Sequence, residues 1–412
     1  MLLLEVVHDT LKLRDMTIAE PPASPAEKRQ GSIDPARSSR TSIALSESRP
    51  LPPPPPPQLL KCLQSGLGSV QSRMVLDSWI KFLGQCLPFY AHTIFQVVIP
   101  LVETFCKQIS FTFASLRDTF TASRDAANGA SGSPESTLIH LLNGLEQVLA
   151  AAHDQLLSAE ARAQLTKSPD QPQSIFGTMV SNVWQSDSPQ SRSATANDRL
   201  TVHLAFQDAV RMCYSIWCWG QGDEATQQDP VSSASFNYTS LRMRNRARRL
   251  LEHLFLAEPL ECLETVIDLW NKPGVSASQS QVFNLLSALD ASRPRHTIPA
   301  LFNAIYSRTN PTALEPGRKS TLTISLQDSD LVVFLVEYAR SLDDDAMDEI
   351  WSDCITFLRD ILSNPFPHRQ TLPRLLEFAA ILGEKVDNTN FGEQRRMRRD
   401  LGVSHVLRYI YR

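Results

Sequence analysis

Two clusters of closely spaced arginines are the residues whose type and spacing point to binding chemistry. Arg242, Arg246 and Arg249 follow i, i+4 and i+7 spacing, so they share one face of a helix. A row of guanidinium groups can bind lipid phosphates or an acidic peptide. The alternative, which carries more weight for each cluster, is a solvated or internally paired helix face. The predicted site for an anionic lipid or an acidic partner comprises Arg242, Arg246, Arg249, Arg395, Arg396, Arg398 and Arg399.

No signature of catalysis accompanies these arginines. The sequence lacks GxxxxGK, GxGxxG, GxSxG and HExxH motifs. Acidic residues cluster at 343–349, but a helix start, where carboxylates complement the dipole, explains them without a metal. The histidines lie singly, without ligand spacing, at positions that include His92, His140, His153, His203 and His253. We therefore predict a protein that is not an enzyme, with no catalytic residue, cofactor or metal.

The composition favours helices interrupted by Pro/Ser-rich segments. The 412 residues carry 40 Lys and Arg against 44 Asp and Glu, a balance that excludes a bulk nucleic-acid binder. Hydrophobic residues make up 42%, and only 15 Gly accompany 27 Pro, which argues against a turn-rich all-β fold. The 7 Cys form no CxxC pair and indicate a reducing compartment. Without a signal peptide or a run of ~18 apolar residues, we expect a cytosolic or peripheral membrane protein.

Composition shifts divide the chain into helical and low-complexity parts. A low-complexity insert at 158–197 encloses an apolar island at 175–184. The island is either a docking motif or a segment that folds back onto the helical part of the chain, and folding back is favoured. The predicted parts are a short amphipathic helix at 1–19, a disordered Pro-rich linker at 20–57, helical repeats at 58–157, a disordered insert at 158–197, helical repeats at 198–402, and a tail at 403–412.

The fold class predicted is all-α, an α-solenoid of HEAT- or armadillo-like antiparallel helix pairs. Successive one-sided apolar helices with short loops bury their stripes most simply by stacking. Pro259, Pro299 and Pro373 are each predicted to open an apolar helix, and their intervals approximate one and two periods of ~40 residues. Pro100 is expected to kink or break its helix. A strand pattern occurs only at 321–326.

Six ordered stretches resemble the Dopey family of large trafficking proteins. None is a catalytic fingerprint, so the resemblance rests on their number and order. The Pro/Ser inserts are typical of filamentous-fungal members. The stretches are LLKCLQ at 59–64, VLDSW at 75–79, FQVVIPLVETFCKQI at 95–109, SIWCWG at 215–220, RLLEHLFLAEPLECLETVIDLW at 249–270 and DNTNFGEQRRMRRDLG at 387–402.

The resemblance implies a non-enzymatic scaffold in vesicle-mediated protein transport between late Golgi and endosomes. It also implies two protein partners, a large Arf-exchange-factor-like HEAT scaffold and an aminophospholipid flippase. The expected location is the cytosolic face of the Golgi, the trans-Golgi network and endosomes, as a peripheral membrane protein. Since family members are several times longer, we expect an interior or truncated piece, with residues 403–412 a non-native tail encoded by read-through of a splice donor. The alternative function is a generic HEAT-like protein–protein adaptor in the cytosol or nucleus.

Overall fold

The computed structural model describes residues 2–19, 54–121, 133–166, 194–221, 230–272 and 276–388. These residues form α-helices joined by turns and short 3₁₀ segments, and no strand occurs among them. The helices are α1 (Leu2–Ala19), α2 (Pro57–Gly68), α3 (Leu76–Cys86), α4 (Ile94–Thr121), α5 (Pro134–Thr166), α6 (Ala194–Trp217), α7 (Pro230–Ala257), α8 (Pro259–Asn271), α9 (Ser276–Ala288), α10 (Pro294–Thr309), α11 (Asp328–Ser341), α12 (Met347–Ser363) and α13 (Leu372–Asn388).

Proline starts several of these helices. It is the first residue of α2, α5, α7, α8 and α10. A proline fits the first turn because its missing N–H would have no partner there and its φ is already helical. Helix α11 begins differently, with a capping box in which the Gln327 backbone N–H donates to Asp330 Oδ2 at 2.9 Å.

Most helices pack against their neighbour in the chain, and most also pack against the helix two places further on. Pairs two places apart that touch include α2 with α4, α4 with α6, α5 with α7, α6 with α8, and α11 with α13. Helices α5 and α7 run parallel, because Glu135 contacts Arg242 and Glu146 contacts His253 at the same separation of 107 residues. Antiparallel neighbours and parallel next-neighbours are the arrangement of an α-solenoid, which confirms the predicted fold class.

Helix α4 lies at the centre of the first half of the array. It packs on α2, α5 and α6, and Leu101, Phe105 and Ile109 are completely buried. By length and composition alone, Ile94–Phe120 would suffice to cross a membrane, with a mean hydropathy of 1.3. This differs from the expectation that no run is long enough. Packing explains the apolar character, because a helix with three neighbours needs apolar side chains around much of its circumference.

Pro299 and Pro100 both lie inside helices, and the prediction that Pro299 opens a helix was wrong. Pro299 does not open a helix but lies within α10, which begins at Pro294. Pro100 does not break α4, which continues to Thr121. The carbonyl of Pro100 accepts a hydrogen bond from Thr104 Oγ1 at 2.7 Å, so side-chain donors serve the backbone around this position.

Boundaries and the strand pattern also differ from the prediction. Helix α5 runs to Thr166 and α6 begins at Ala194, so both helices extend into the predicted insert at 158–197. Residues 321–326 form no strand: the Thr321 and Leu322 N–H groups donate to side chains, and the Leu326 N–H donates to the nearby Ile324 carbonyl. The apolar island at 175–184 and most of the predicted linker at 20–57 lie outside the described residues.

Candidate functional site

Helix α7 carries the first arginine cluster on the side opposite to its apolar stripe. Met243, Ala247 and Leu250 are completely buried. The helical repeat therefore turns the intervening arginines toward α5 and the surface, as their spacing predicts.

Two of the three arginines are engaged by α5. Arg242 contacts Glu135, and Arg246 donates from Nε to Asn143 Oδ1 at 2.8 Å. Arg246 also contacts Glu146, and only 13% of its side chain is exposed. These two side chains therefore act as an internal clamp between parallel helices, which was the alternative interpretation of the cluster.

Arg249 is the exception. It is exposed, and no hydrogen bond or ion pair is recorded for it among the described residues. It lines a groove of about 450 Å³ between α5 and α7, together with Ile139, Tyr238 and Leu241. Tyr238 and Leu241 are both more than half exposed. We call this surface the basic groove; it combines one unpaired cation with an aromatic and an aliphatic side chain.

The second arginine cluster lies outside the described residues. Its members, Arg395, Arg396, Arg398 and Arg399, therefore stay a sequence prediction.

Structural contacts explain acidic residues of the cluster at 343–349, and burial explains the state of the Cys86 thiol. Asp344 lies 3.3 Å from Lys385 Nζ, and Asp348 falls in the first turn of α12. Burial raises the pKa of Cys86 to about 12, so that thiol stays protonated at neutral pH. Within the described ranges, no group of three or more His, Cys, Asp or Glu side chains is arranged to hold a metal.

Sequence reasoning missed a set of buried charges where α6, α8 and α10 meet. We call it the buried charge cluster and define it as His203, Glu258, Glu261, Glu264 and Arg308. His203 Nε2 lies 3.3 Å from Glu258 and Nδ1 lies 3.1 Å from Glu261. Neither ring nitrogen has the alignment of a hydrogen bond, so these are contacts between charges. The side chain of His203 is only 2% exposed.

The pKa values in this cluster follow from competition between burial and pairing. Burial alone would lower the pKa of His203, but its contacts with Glu258 and Glu261 outweigh burial and raise the pKa to about 9. Burial would raise the pKa of Glu258, yet His153 and His203 lower it to about 2. Burial also opposes the shift at Glu261, whose pKa is lowered by His203 and by hydrogen bonds from Thr321. His203 is therefore an imidazolium at neutral pH.

The same cluster also forms hydrogen bonds with the irregular segment between α10 and α11. Arg308 Nη1 donates to Glu264 Oε1 at 2.7 Å, and Arg308 Nε donates to the Leu326 carbonyl at 2.8 Å. The Thr321 backbone N–H donates to Glu261 Oε1 at 2.8 Å. Burial raises the pKa of Glu264 in spite of Arg308.

This arrangement is suited to positioning rather than to reaction. The carboxylates of Glu261 and Glu264 are 1% and 0% exposed and are occupied by Thr321, His203, Ser320 and Arg308. The surface hollows of about 390, 680 and 450 Å³ are lined by other residues than the members of the cluster.

Stacked helix pairs whose ionic groups cross-link successive layers define a helical-repeat protein of the α-solenoid class. Comparison with known proteins narrows this class. A family model described as DOP1 C-terminal matches residues 334–410. Protein dop1 of Emericella nidulans is 53% identical over 390 residues, which cover 93% of this chain and 21% of that protein. Protein DOP1 of Saccharomyces cerevisiae is 26% identical over 354 residues, or 82% of this chain and 20% of that protein.

The matches confirm the resemblance seen in the sequence: the chain belongs to the Dopey family. It spans about a fifth of the length of the curated relatives it matches. The family model extends to residue 410, and the tail predicted at 403–412 lies outside the described residues and stays a prediction.

Proposed function

We propose that this chain is a non-enzymatic scaffold in vesicle-mediated protein transport between the late Golgi and endosomes. The observation that carries the proposal is the 53% identity, over 390 residues, to a Dopey-family protein. The role itself is what that family resemblance implies.

The fold supports a scaffold because a solenoid presents long surfaces built from successive helices. Each layer contacts only its near neighbours, so stacking adds binding surface without requiring a single central cleft. In the interior of the described chain, Glu264 pairs with Arg308, and Arg308 also donates to a backbone carbonyl. Such groups stabilise the array and leave its surface residues to bind partners.

The proposed partners are a large Arf-exchange-factor-like HEAT scaffold and an aminophospholipid flippase, at the cytosolic face of Golgi and endosomal membranes. The direct test is affinity purification of the full-length protein that contains this chain, with partners identified by mass spectrometry. Recovery of both partner classes, together with Golgi and endosomal puncta of the tagged protein, supports the proposal. Diffuse cytosolic or nuclear signal without those partners would instead support the generic adaptor.

Peripheral membrane contact is proposed at the basic groove. Reversing all three arginines of the cluster would be a poor test, because Arg242 and Arg246 hold α5 against α7. Arg249→Glu changes the unpaired cation alone. A suitable control is Arg295→Glu, at an exposed position of α10, because it changes the net charge equally.

Co-sedimentation with phosphatidylserine-containing vesicles separates the two variants. One basic residue near an anionic surface is worth about 1 kcal/mol, so Arg249→Glu should lower vesicle affinity about fivefold or more. Arg295→Glu and neutral phosphatidylcholine vesicles should show no such specific loss. Equal behaviour of the two variants would remove the basic groove as a membrane contact while leaving the scaffold role to the purification test.

A further inference from the structure

A second groove lies on the opposite part of α5 and contains no residue of the basic groove. It measures about 680 Å³ and separates α5 from the elbow between α3 and α4. We call it the elbow groove. Leu87 and Ile94, which are almost completely buried, line its floor. The lining contributed by α5 includes the small side chains Ala150, Ala151 and Ser158.

Small side chains along one face allow another helix to approach closely. Ala150, Ala151 and Ser158 follow the spacing of a single α5 face, and the aliphatic floor supplies apolar surface to bury. The groove is therefore shaped for a short amphipathic helix rather than for a small polar ligand.

The sequence contains such a helix pattern in the segment that joins α5 to α6. Within the island at 175–184, apolar residues recur at i, i+1, i+4, i+5, i+8 and i+9. This spacing places all of them on one helical face and leaves Gly, Thr, Ser and Asn on the other. The apolar positions are Ile175, Phe176, Met179, Val180, Val183 and Trp184.

The two ends of the joining segment lie beside the elbow groove. A hollow of about 390 Å³ is lined by Arg162, near the end of α5, and by Asp198, near the start of α6. That hollow and the elbow groove share Gln155 in their linings, so they adjoin. Ile175 is nine positions after Thr166, a stretch that can span up to about 30 Å, whereas Gln155 lies only about 17 Å back along α5.

We propose that the island at 175–184 docks as a short amphipathic helix in the elbow groove of its own chain. Ten helical residues are about 15 Å long and bring both island ends within reach of α5 and α6. Docking removes Phe176 and Trp184 from water and covers Leu87 and the Ala150 face at the same time. The inference concerns the chain's own architecture and does not depend on the proposed trafficking role.

Hydrogen exchange measured by mass spectrometry on the whole chain tests the proposal. The amides of 175–184 should exchange about tenfold or more slowly than those of the same sequence as a free peptide. Ala150→Glu places a carboxylate in the elbow groove and should raise island exchange to within about twofold of the free peptide. Ala161→Glu makes the same change at an exposed α5 position outside the groove and should leave the protection intact.

A variant in the island gives the reciprocal measurement without touching the described helices. Phe176→Ser combined with Val180→Ser should increase exchange in the elbow turn at 87–91, because its cover is lost. Island amides that exchange at free-peptide rates in the unaltered chain overturn the proposal. Protection of the island that survives Ala150→Glu, or that is lost equally in Ala150→Glu and Ala161→Glu, also overturns it. Protection that disappears on dilution does so too, because it would show that a second copy of the chain occupies the groove.

Discussion

Replacing His203 by leucine tests whether the buried charge cluster stabilises the array. The imidazolium is 2% exposed and lies between carboxylates of Glu258 and Glu261, at 3.3 and 3.1 Å. His203→Leu replaces the imidazolium by an apolar side chain of similar size. The carboxylates of Glu258 and Glu261 then lie close together without the cation that they share. Glu261 keeps its hydrogen bonds from Thr321, so the loss falls mainly on charge pairing.

The expected magnitude follows from the pKa of His203. A rise from 6.5 to about 9 corresponds to about 3 kcal/mol, since each tenfold change in proton affinity is worth about 1.4 kcal/mol. Removal of one partner from a buried ion pair costs a similar amount, about 3–5 kcal/mol. We therefore expect His203→Leu to lower the free energy of unfolding by about 3 kcal/mol at pH 6.

The sign of the pH dependence is fixed by the direction of the shift. The folded-state pKa of His203 lies above its value of 6.5 in the unfolded chain, so its contribution is complete below pH 6.5. It is lost as the pH rises through about 9. Urea unfolding followed by far-UV circular dichroism should show the unaltered chain losing stability across this window, with a clearly smaller loss in His203→Leu.

The matched control removes charge from the other side of the pair. Glu261→Gln in the His203→Leu background should recover part of the lost stability, because one of the two stranded carboxylates becomes neutral. The reasoning is refuted if His203→Leu costs less than about 1 kcal/mol at pH 6, or if both proteins lose stability equally between pH 6.5 and 9.

Three further substitutions should shift the urea midpoint. Gly144→Ala should destabilise by about 1–2 kcal/mol, because a Cβ there would lie 2.6 Å from the buried Phe105 ring, a clash larger than the gain in helix propensity; an unchanged midpoint would contradict this. Leu322→Gly should stabilise by up to about 1 kcal/mol, since Leu322 is half exposed and has a left-handed φ of 54°; a lower midpoint would argue against strain. Phe357→Ala should cost about 3–5 kcal/mol through loss of the Phe302 stack, whose ring centroids are 3.8 Å apart, and a cost below 1 kcal/mol would refute it.

The sequence predicts helices well wherever one face is buried. The last two helices of the described chain illustrate this. Apolar periodicity at 345–362 and 372–386 predicts α12 and α13, which run over Met347–Ser363 and Leu372–Asn388 in the structure. Both helices bury one stripe against neighbours, so a period near 3.6 is imprinted on their composition. Stacking follows because so many one-sided helices must cover each other.

Features that depend on distant partners were not predictable in the same way. His203 looks like an isolated histidine because its partners are distant in sequence: Glu258 lies just before α8 and Glu261 lies within it. Residues 321–326 look like a strand because their polar and apolar residues alternate, but the Thr321 N–H pairs with the Glu261 carboxylate instead of a neighbouring strand. Pro299 looks like a helix start because proline is common there, yet α10 already begins at Pro294. The local sequence pattern contains no information on the partners of His203 and Thr321, or on where the helix that contains Pro299 begins.

The first arginine cluster shows how a single surface pattern divides once the neighbouring helix is in place. Arg242 and Arg246 form ion pairs with carboxylates of α5, whereas Arg249, one turn further on, forms none with the described residues. Two of the three charges therefore stabilise parallel packing of α5 and α7, and an acidic ligand would have to displace them from existing partners to bind them. Only Arg249 can bind such a ligand without that cost. Any membrane or acidic-partner contact on this face should accordingly depend on Arg249 far more than on its two neighbours.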